Sequence, residues 1–140
     1  MVKLILGSKG QGKTKRLIER VNAAAAASDG NVVCVDKYGK LELNVHNAVR
    51  LVQTDEYGIS GYDSLYGFIS GICAGNYDIT DVFVDATLRI GGREGDFSEL
   101  AAFLGRVEKL SKISETNFVF TISEDKAALP EAIRALAQAE

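Results

Sequence analysis

Five short apolar runs alternate with segments of helical periodicity along this chain. The runs contain few polar residues, so they are predicted to be buried strands: residues 2–6, 32–35, 49–53, 81–85 and 118–123. Apolar residues at helical spacing predict helices over residues 13–27, 62–75, 97–113 and 130–139, whereas residues 38–48 show neither pattern. Apolar strands alternating with helices are typical of a parallel sheet covered on both faces. The predicted fold class is α/β, a three-layer sandwich around a mainly parallel sheet of four to five strands.

Two glycines interrupt the predicted helix over residues 62–75. Gly67 and Gly71 lie one helical turn apart, so they share one face of that helix. Because a residue without a side chain allows another element to approach closely, we expect the helix to pack tightly on a neighbour at this face.

Length and composition fit one globular domain. The chain has 140 residues, 46% of them hydrophobic and 25% charged, which predicts a single domain over residues 1–140. No apolar run approaches the roughly 18 residues of a membrane helix, and the first residues do not resemble a signal peptide. Cys34 and Cys73 lie in apolar surroundings and are expected to be free buried thiols, which favours the cytoplasm. With His46 as the only histidine, a multi-histidine metal site is excluded.

The charge of the chain is unevenly distributed. The net charge is −3, yet the first 20 residues are strongly basic, with Lys3, Lys9, Lys13, Lys15, Arg16 and Arg20 against Glu19. An acidic chain argues against a general nucleic-acid surface. A local anion site near the N-terminus remains as one interpretation, and a solvated basic helix face is the other.

A phosphate-binding pattern lies between the first predicted strand and the first predicted helix. The segment reads Gly7-Ser8-Lys9-Gly10-Gln11-Gly12-Lys13-Thr14 and matches G-x-x-x-x-G-K-[ST]. Glycines let consecutive amides turn inward around phosphate oxygens, and the helix N-terminus adds its dipole. Lys13 is expected to reach the β- and γ-phosphates, and the Thr14 hydroxyl to coordinate Mg²⁺. The predicted nucleotide contacts are Gly7, Ser8, Lys9, Gly10, Gln11, Gly12, Lys13, Thr14 and Lys15; the alternative is a glycine-rich turn with surface lysines.

Through residues 2–27 and the acidic strand end at Asp85, the chain resembles the P-loop NTPase superfamily. The resemblance implies a nucleotide at the carboxyl ends of the strands, with ATP and Mg²⁺ as the expected ligands. The RecA-like branch, which has an extra strand between the P-loop and Walker B strands, is favoured. That branch implies the strand order 2–6, 118–122, 81–85, 31–35, with a polar residue such as Thr121 or Ser123 near the γ-phosphate. The chain is also similar to short bacterial P-loop proteins described only as ATP-binding.

Asp81-Val-Phe-Val-Asp85 looks like a Walker B strand. In this interpretation Asp85 acts in catalysis with Lys13 and shares the Mg²⁺ ion with Thr14. Many P-loop ATPases place a catalytic glutamate next, but here Ala86 and Thr87 follow, which argues against fast hydrolysis. Asp36 or Glu94 could orient a water instead.

Two arginines flank the glycine-rich segment that follows Asp85. Arg89 and Arg93 could clamp a γ-phosphate, or they could be solvated. Neither position is fixed by a motif. The sequence therefore leaves the number of cations around the terminal phosphate open.

The predicted function is binding of a nucleoside triphosphate, with ATP favoured. The protein would act as a slow ATPase or as a nucleotide-dependent switch. The alternatives are a small P-loop kinase for a nucleoside or metabolite and a regulatory module that does not hydrolyse nucleotide. A kinase must also hold an acceptor, for which 140 residues leave little chain. No guanine-recognition motif is present, which disfavours a GTPase. A protein partner or a homo-oligomer could complete the site in trans.

Overall fold

The described part of the chain forms one five-stranded parallel sheet. The computed structural model describes residues 1–39, 41, 44–93 and 95–137. The strands are β1 (Val2–Gly7), β2 (Asn31–Asp36), β3 (Arg50–Gln53), β4 (Ile79–Val84) and β5 (Asn117–Ser123). Their spatial order is β1-β5-β4-β2-β3, and every neighbouring pair is parallel. The predicted α/β class, the parallel sheet and the order of the first four strands are confirmed.

Helices cover both faces of this sheet. They are α1 (Lys13–Ala27), α2 (Tyr62–Gly75), α3 (Thr87–Gly91), α4 (Ser98–Ser114) and α5 (Glu131–Arg134). The described residues of the segment 38–48 contain neither helix nor strand, as predicted. None of the helices within the described ranges has the length and apolar character required to cross a lipid bilayer.

The strands contribute side chains to two separate cores, one on each face of the sheet. On one face, Leu17 and Val21 of α1 pack with Ile5 of β1. On the other face, α2 and α4 pack over the neighbouring residue of the same strand, Leu4, and over Phe120. Because adjacent strand residues point to opposite faces and both faces are covered, the strands are continuously apolar.

Helix α5 is shorter than the sequence predicts. The predicted span was 130–139, but the helix ends at Arg134, and residues 138–140 lie outside the described part. After it, the chain runs along the edge of β1, where the Leu4 N–H donates to the Leu136 carbonyl at 3.1 Å. An edge strand has unpaired amides, and pairing with one of them ends the helix early.

The predicted close packing at Gly67 and Gly71 is wrong. Both glycines are exposed, and a Cβ added at either would meet no atom within 4 Å. The opposite face of α2, with Leu65 and Ile69, is the buried one. The glycine spacing marks the solvent side of the helix.

The parallel register brings the carboxyl ends of the central strands to one edge. Gly7 of β1 lies opposite Ser123 of β5, and Val84 of β4 lies opposite Val35 of β2. The Asp85 amide, just after β4, donates to the Val35 carbonyl at 2.8 Å. Residues that follow these strands therefore meet at one place, whatever their separation in sequence.

Candidate functional site

The loop between β1 and α1 has the backbone conformation that its glycines allow. Gly10 and Gly12 have φ values of +88° and +78°, and a Cβ added at either would meet no atom within 4 Å. L-residues rarely adopt this region. Gly12 precedes the first residue of α1, and the first turn of that helix contains no acidic side chain. No side chain of the helix itself therefore neutralises the partial positive charge of its N-terminal amides, which can bind an anion.

Lys13 is buried at the start of α1 and turns back over this loop. Its Nζ donates to the Ser8 carbonyl oxygen at 2.8 Å, and the residue is only 7% exposed. Burial lowers the pKa of Lys13 and the charges of Arg16 and Arg89 lower it further, whereas the Asp85 carboxylate opposes the shift. A buried cation at the mouth of a glycine loop favours an anionic ligand, since the ligand's charge would replace the lost hydration.

Side chains also hold the loop in place. Gln11 Oε1 accepts the Ser8 N–H at 2.7 Å, and the Ser8 hydroxyl donates to Asp125 Oδ1 at 3.1 Å. Arg16 donates to the Leu6 carbonyl at 3.1 Å. Asp125, which follows β5, had no sequence signal, because its partner is 117 positions away.

A cavity of about 330 Å³ opens beside the loop at the carboxyl edge of the sheet. Several predicted site residues line it, together with residues that the sequence did not single out. The lining consists of Lys9, Gly10, Gly12, Lys13, Thr14, Asp36, Tyr38, Leu41, Asp85, Ala86, Arg89, Thr121 and Ser123. The other predicted loop contacts, Gly7, Ser8, Gln11 and Lys15, do not line the cavity. Lys15 is exposed on α1.

Asp85 lies between two threonine hydroxyls. Thr14 Oγ1 donates to Asp85 Oδ2 at 3.3 Å, and Thr121 Oγ1 donates to Asp85 Oδ1 at 2.6 Å. Thr121 Oγ1 also accepts the Ala86 N–H at 2.9 Å. Thr121 is 1% exposed, so its hydroxyl fixes the orientation of Asp85 and the chain that follows, in addition to lining the cavity.

Ala86 adopts a left-handed conformation, with φ 56° and ψ 44°. This conformation is uncommon for a residue with a side chain and costs about 1–2 kcal/mol. The turn takes the chain from β4 directly into α3. It occurs directly after Asp85, at a position whose side chain carries no acid.

Asp36 is buried on the other side of Asp85. It ends β2, is 3% exposed and lines the cavity with Lys13 and Asp85. Burial raises the pKa of the Cys34 thiol far above its usual range, and the carboxylates of Asp85 and Asp36 add smaller contributions. Cys34 and Cys73 are both free and buried, as predicted. Glu94, the other acid predicted to orient a water, lies outside the described residues.

Arg89 and Arg93, which are equivalent candidates in the sequence, have different environments in the structure. Arg89 on α3 lines the cavity. Arg93 instead pairs with Glu124, and its guanidinium also lies 3.5 Å from the Ser123 carbonyl oxygen. Only the three-dimensional structure separates them, because both follow the Asp85 strand at similar distances in sequence.

The donor set fits a magnesium–nucleotide complex. A hydroxyl and a carboxylate, those of Thr14 and Asp85, lie within hydrogen-bond distance of each other beside a buried ammonium. Such oxygen donors suit Mg²⁺. Among the described residues, no cluster of three or more His, Cys, Asp or Glu side chains could hold a metal by itself, so phosphate and water oxygens would have to complete the coordination.

Comparisons with known proteins support the fold. No model of a known protein family matches the sequence, nor does any curated protein. The structure is similar to that of the flagellar accessory protein FlaH from Methanocaldococcus jannaschii, with a TM-score of 0.59 and 15% sequence identity. The match covers 96% of this chain, which spans 65% of the FlaH chain. At this identity the likeness is one of fold: the chain has a RecA-like P-loop α/β fold.

Proposed function

We propose that this chain is an ATP-binding P-loop protein that acts as a slow ATPase or a nucleotide-dependent switch. The observation that carries the proposal is the convergence of Lys13, Thr14 and Asp85 in one cavity beside the glycine loop. These residues follow two strands that are not neighbours in the sheet. The RecA-like fold supports the proposal, since open α/β sheets bind ligands at the carboxyl ends of their strands.

Each residue has a defined part in this proposal. The amides of the loop and of the first turn of α1 bind phosphate oxygens, and Lys13 neutralises charge on the β- and γ-phosphates. Thr14 and Asp85 hold Mg²⁺, which neutralises further phosphate charge when it is bound. Thr121 keeps the Asp85 carboxylate turned toward this place.

Hydrolysis is proposed to be slow because the position after Asp85 lacks a carboxylate. The side chain of Ala86 cannot accept a proton or orient a water. Asp36, at the end of the adjacent strand and in the same cavity, is the carboxylate best placed to do so. A partner or a second copy would accelerate the reaction only by adding groups to this cavity.

Ala86 also favours a second candidate, a regulatory module that binds nucleotide without turning it over. The two candidates share the binding site and differ only in whether Asp36 orients a water. In both, we propose that residues 1–140 form one nucleotide-binding domain and that the protein acts in the cytoplasm, where its two thiols stay reduced.

Calorimetric titration with ATP and Mg²⁺ tests the proposal. The wild type should bind, and Lys13→Ala should lower the affinity by about 100-fold, because charge-assisted contacts to two phosphates are lost. Chelation of Mg²⁺ with EDTA should weaken wild-type binding. Lys112→Ala, an exposed change on α4, is the matched control and should bind like the wild type.

Two results would contradict the proposal. Unchanged ATP affinity in a folded Lys13→Ala protein would reject the binding site. Steady hydrolysis by the isolated protein at about 1 s⁻¹ or faster, abolished by Lys13→Ala, would reject the slow ATPase, since this rate is already within the ordinary range for enzymes.

A further inference from the structure

We infer that Arg89 binds the terminal phosphate of the nucleotide from within the same chain, so that the site distinguishes a triphosphate from a diphosphate. The inference rests on the proposed function. It concerns one side chain of the cavity that no sequence motif assigns.

Two hydrogen bonds of the backbone after Asp85 determine where Arg89 lies. The Ala86 N–H is held by Thr121 Oγ1 at 2.9 Å, and the Arg89 N–H donates to the Ala86 carbonyl at 3.0 Å. Arg89 therefore lies one turn beyond Asp85 on a helix whose start is fixed by the same threonine that orients Asp85. It lines the cavity together with Lys13, Asp36 and Asp85.

The position relative to the sheet indicates which phosphate Arg89 would meet. The glycine loop follows β1, whereas Arg89 follows β4, and β5 lies between these strands. Phosphates enclosed by the loop are those nearest to β1. A phosphate chain that starts in the loop and extends toward β4 and β2 would bring its terminal phosphate to the side on which Arg89 lies.

The charges in the cavity also favour an anion beside Arg89. Lys13 and Arg89 both line the cavity, and the positive charge of Arg89 lowers the pKa of Lys13, so the two cations repel each other. A phosphate bound between them would relieve this repulsion. The planar guanidinium can donate two parallel hydrogen bonds to phosphate oxygens.

The guanidinium of Arg89 is also available to bind a ligand. Across the described ranges, its guanidinium forms no salt bridge and no side-chain hydrogen bond, and the residue is exposed. Arg93 is the internal contrast, because its guanidinium is paired with Glu124. A cation that lines a phosphate cavity without a protein partner can bind a ligand without first breaking an ion pair.

The test compares two nucleotides rather than one. Wild type, Arg89→Ala, Arg89→Lys and the matched control Arg93→Ala are titrated with a non-hydrolysable β,γ-imido analogue of ATP and with ADP, both with Mg²⁺. Arg89→Ala should bind the analogue about 10- to 100-fold more weakly and ADP within about twofold of the wild type. Arg89→Lys should recover part of the loss, and Arg93→Ala should bind both ligands like the wild type.

The other outcomes are distinct. Equal losses for both nucleotides, or no loss for either, would overturn the inference while the proposed nucleotide site stands. If the wild type binds neither nucleotide, the proposed function fails and the inference fails with it. Because Arg89 is exposed and forms no ion pair with any residue that the structure describes, the variants should keep the thermal stability of the wild type, which a melting curve checks.

Discussion

The two sides of the cavity are built in different ways. The loop side, residues 7–15, is one continuous segment in which Ser8 bonds to both Gln11 and Lys13, no more than five positions away. The far side consists of Asp36 at the end of β2, Asp85 and Arg89 after β4, and Thr121 within β5. There, the bond that fixes Asp85 joins residues 36 positions apart.

This difference separates two tasks. The loop side can hold phosphate through backbone amides and one lysine, so its form depends on local glycine conformations. On the proposed function, the far side acts on the terminal phosphate, and its form depends on the register of β2, β4 and β5. On the proposed function, loss of Lys13 should therefore weaken nucleotide binding, whereas changes on the far side should affect contacts to the terminal phosphate, turnover or stability.

Among the changes that test this comparison, Asp36→Asn is expected to have the largest effect, on the rate of ATP hydrolysis. The amide cannot take a proton from water, so single-turnover ATP hydrolysis should fall by about 100-fold or more. ATP affinity should stay within about threefold of the wild type, because a carboxylate contributes no attraction to phosphate. Asp55→Asn is the control, since Asp55 is an exposed acid paired with Lys37. Equal hydrolysis rates in Asp36→Asn and the wild type would show that Asp36 does not orient the water.

A smaller effect, on stability, is expected for Thr121→Val. This change keeps the side-chain shape but removes the donor to Asp85 and the acceptor for the Ala86 N–H. Buried groups left without partners cost about 1–3 kcal/mol of unfolding free energy, which urea denaturation measures. Ser123→Ala, at an exposed position of the same strand, should cost less than about 0.5 kcal/mol. Equal stability of the two variants would mean that Thr121 does not support Asp85.

The smallest effect is a difference in stability between variants of Gly12 and Ala86, which both have a left-handed backbone conformation. Gly12→Ala should destabilise the protein by about 1 kcal/mol, because alanine resists this conformation. Ala86→Gly relieves the same strain at some cost in chain entropy, so the two variants should differ by about 1–2 kcal/mol, with Gly12→Ala the less stable. Gly105→Ala, in the exposed interior of α4, should instead stabilise by about 0.5–1 kcal/mol. A Gly12→Ala protein as stable as the wild type would contradict the strain argument.

The sequence determined the features that depend on neighbouring residues. The apolar runs are strands because both faces of the sheet are covered, and the limits of α1 match the prediction at both ends. The glycine loop could also be predicted, since positive φ at Gly10 and Gly12 is a local property. The strand order was implied by the resemblance to the RecA-like branch, and the structure has that order.

Only the tertiary structure decided which polar side chains share the cavity. Arg89 and Arg93 are equivalent in sequence, yet one lines the cavity and the other pairs with Glu124. The resemblance implied that Thr121 lies near the γ-phosphate, which stays a prediction; its bond to Asp85 is seen only in the structure. The physical reason is that periodicity indicates which face of a strand or helix is buried. The partner that a buried hydroxyl or guanidinium meets depends on the register of strands far apart in the chain.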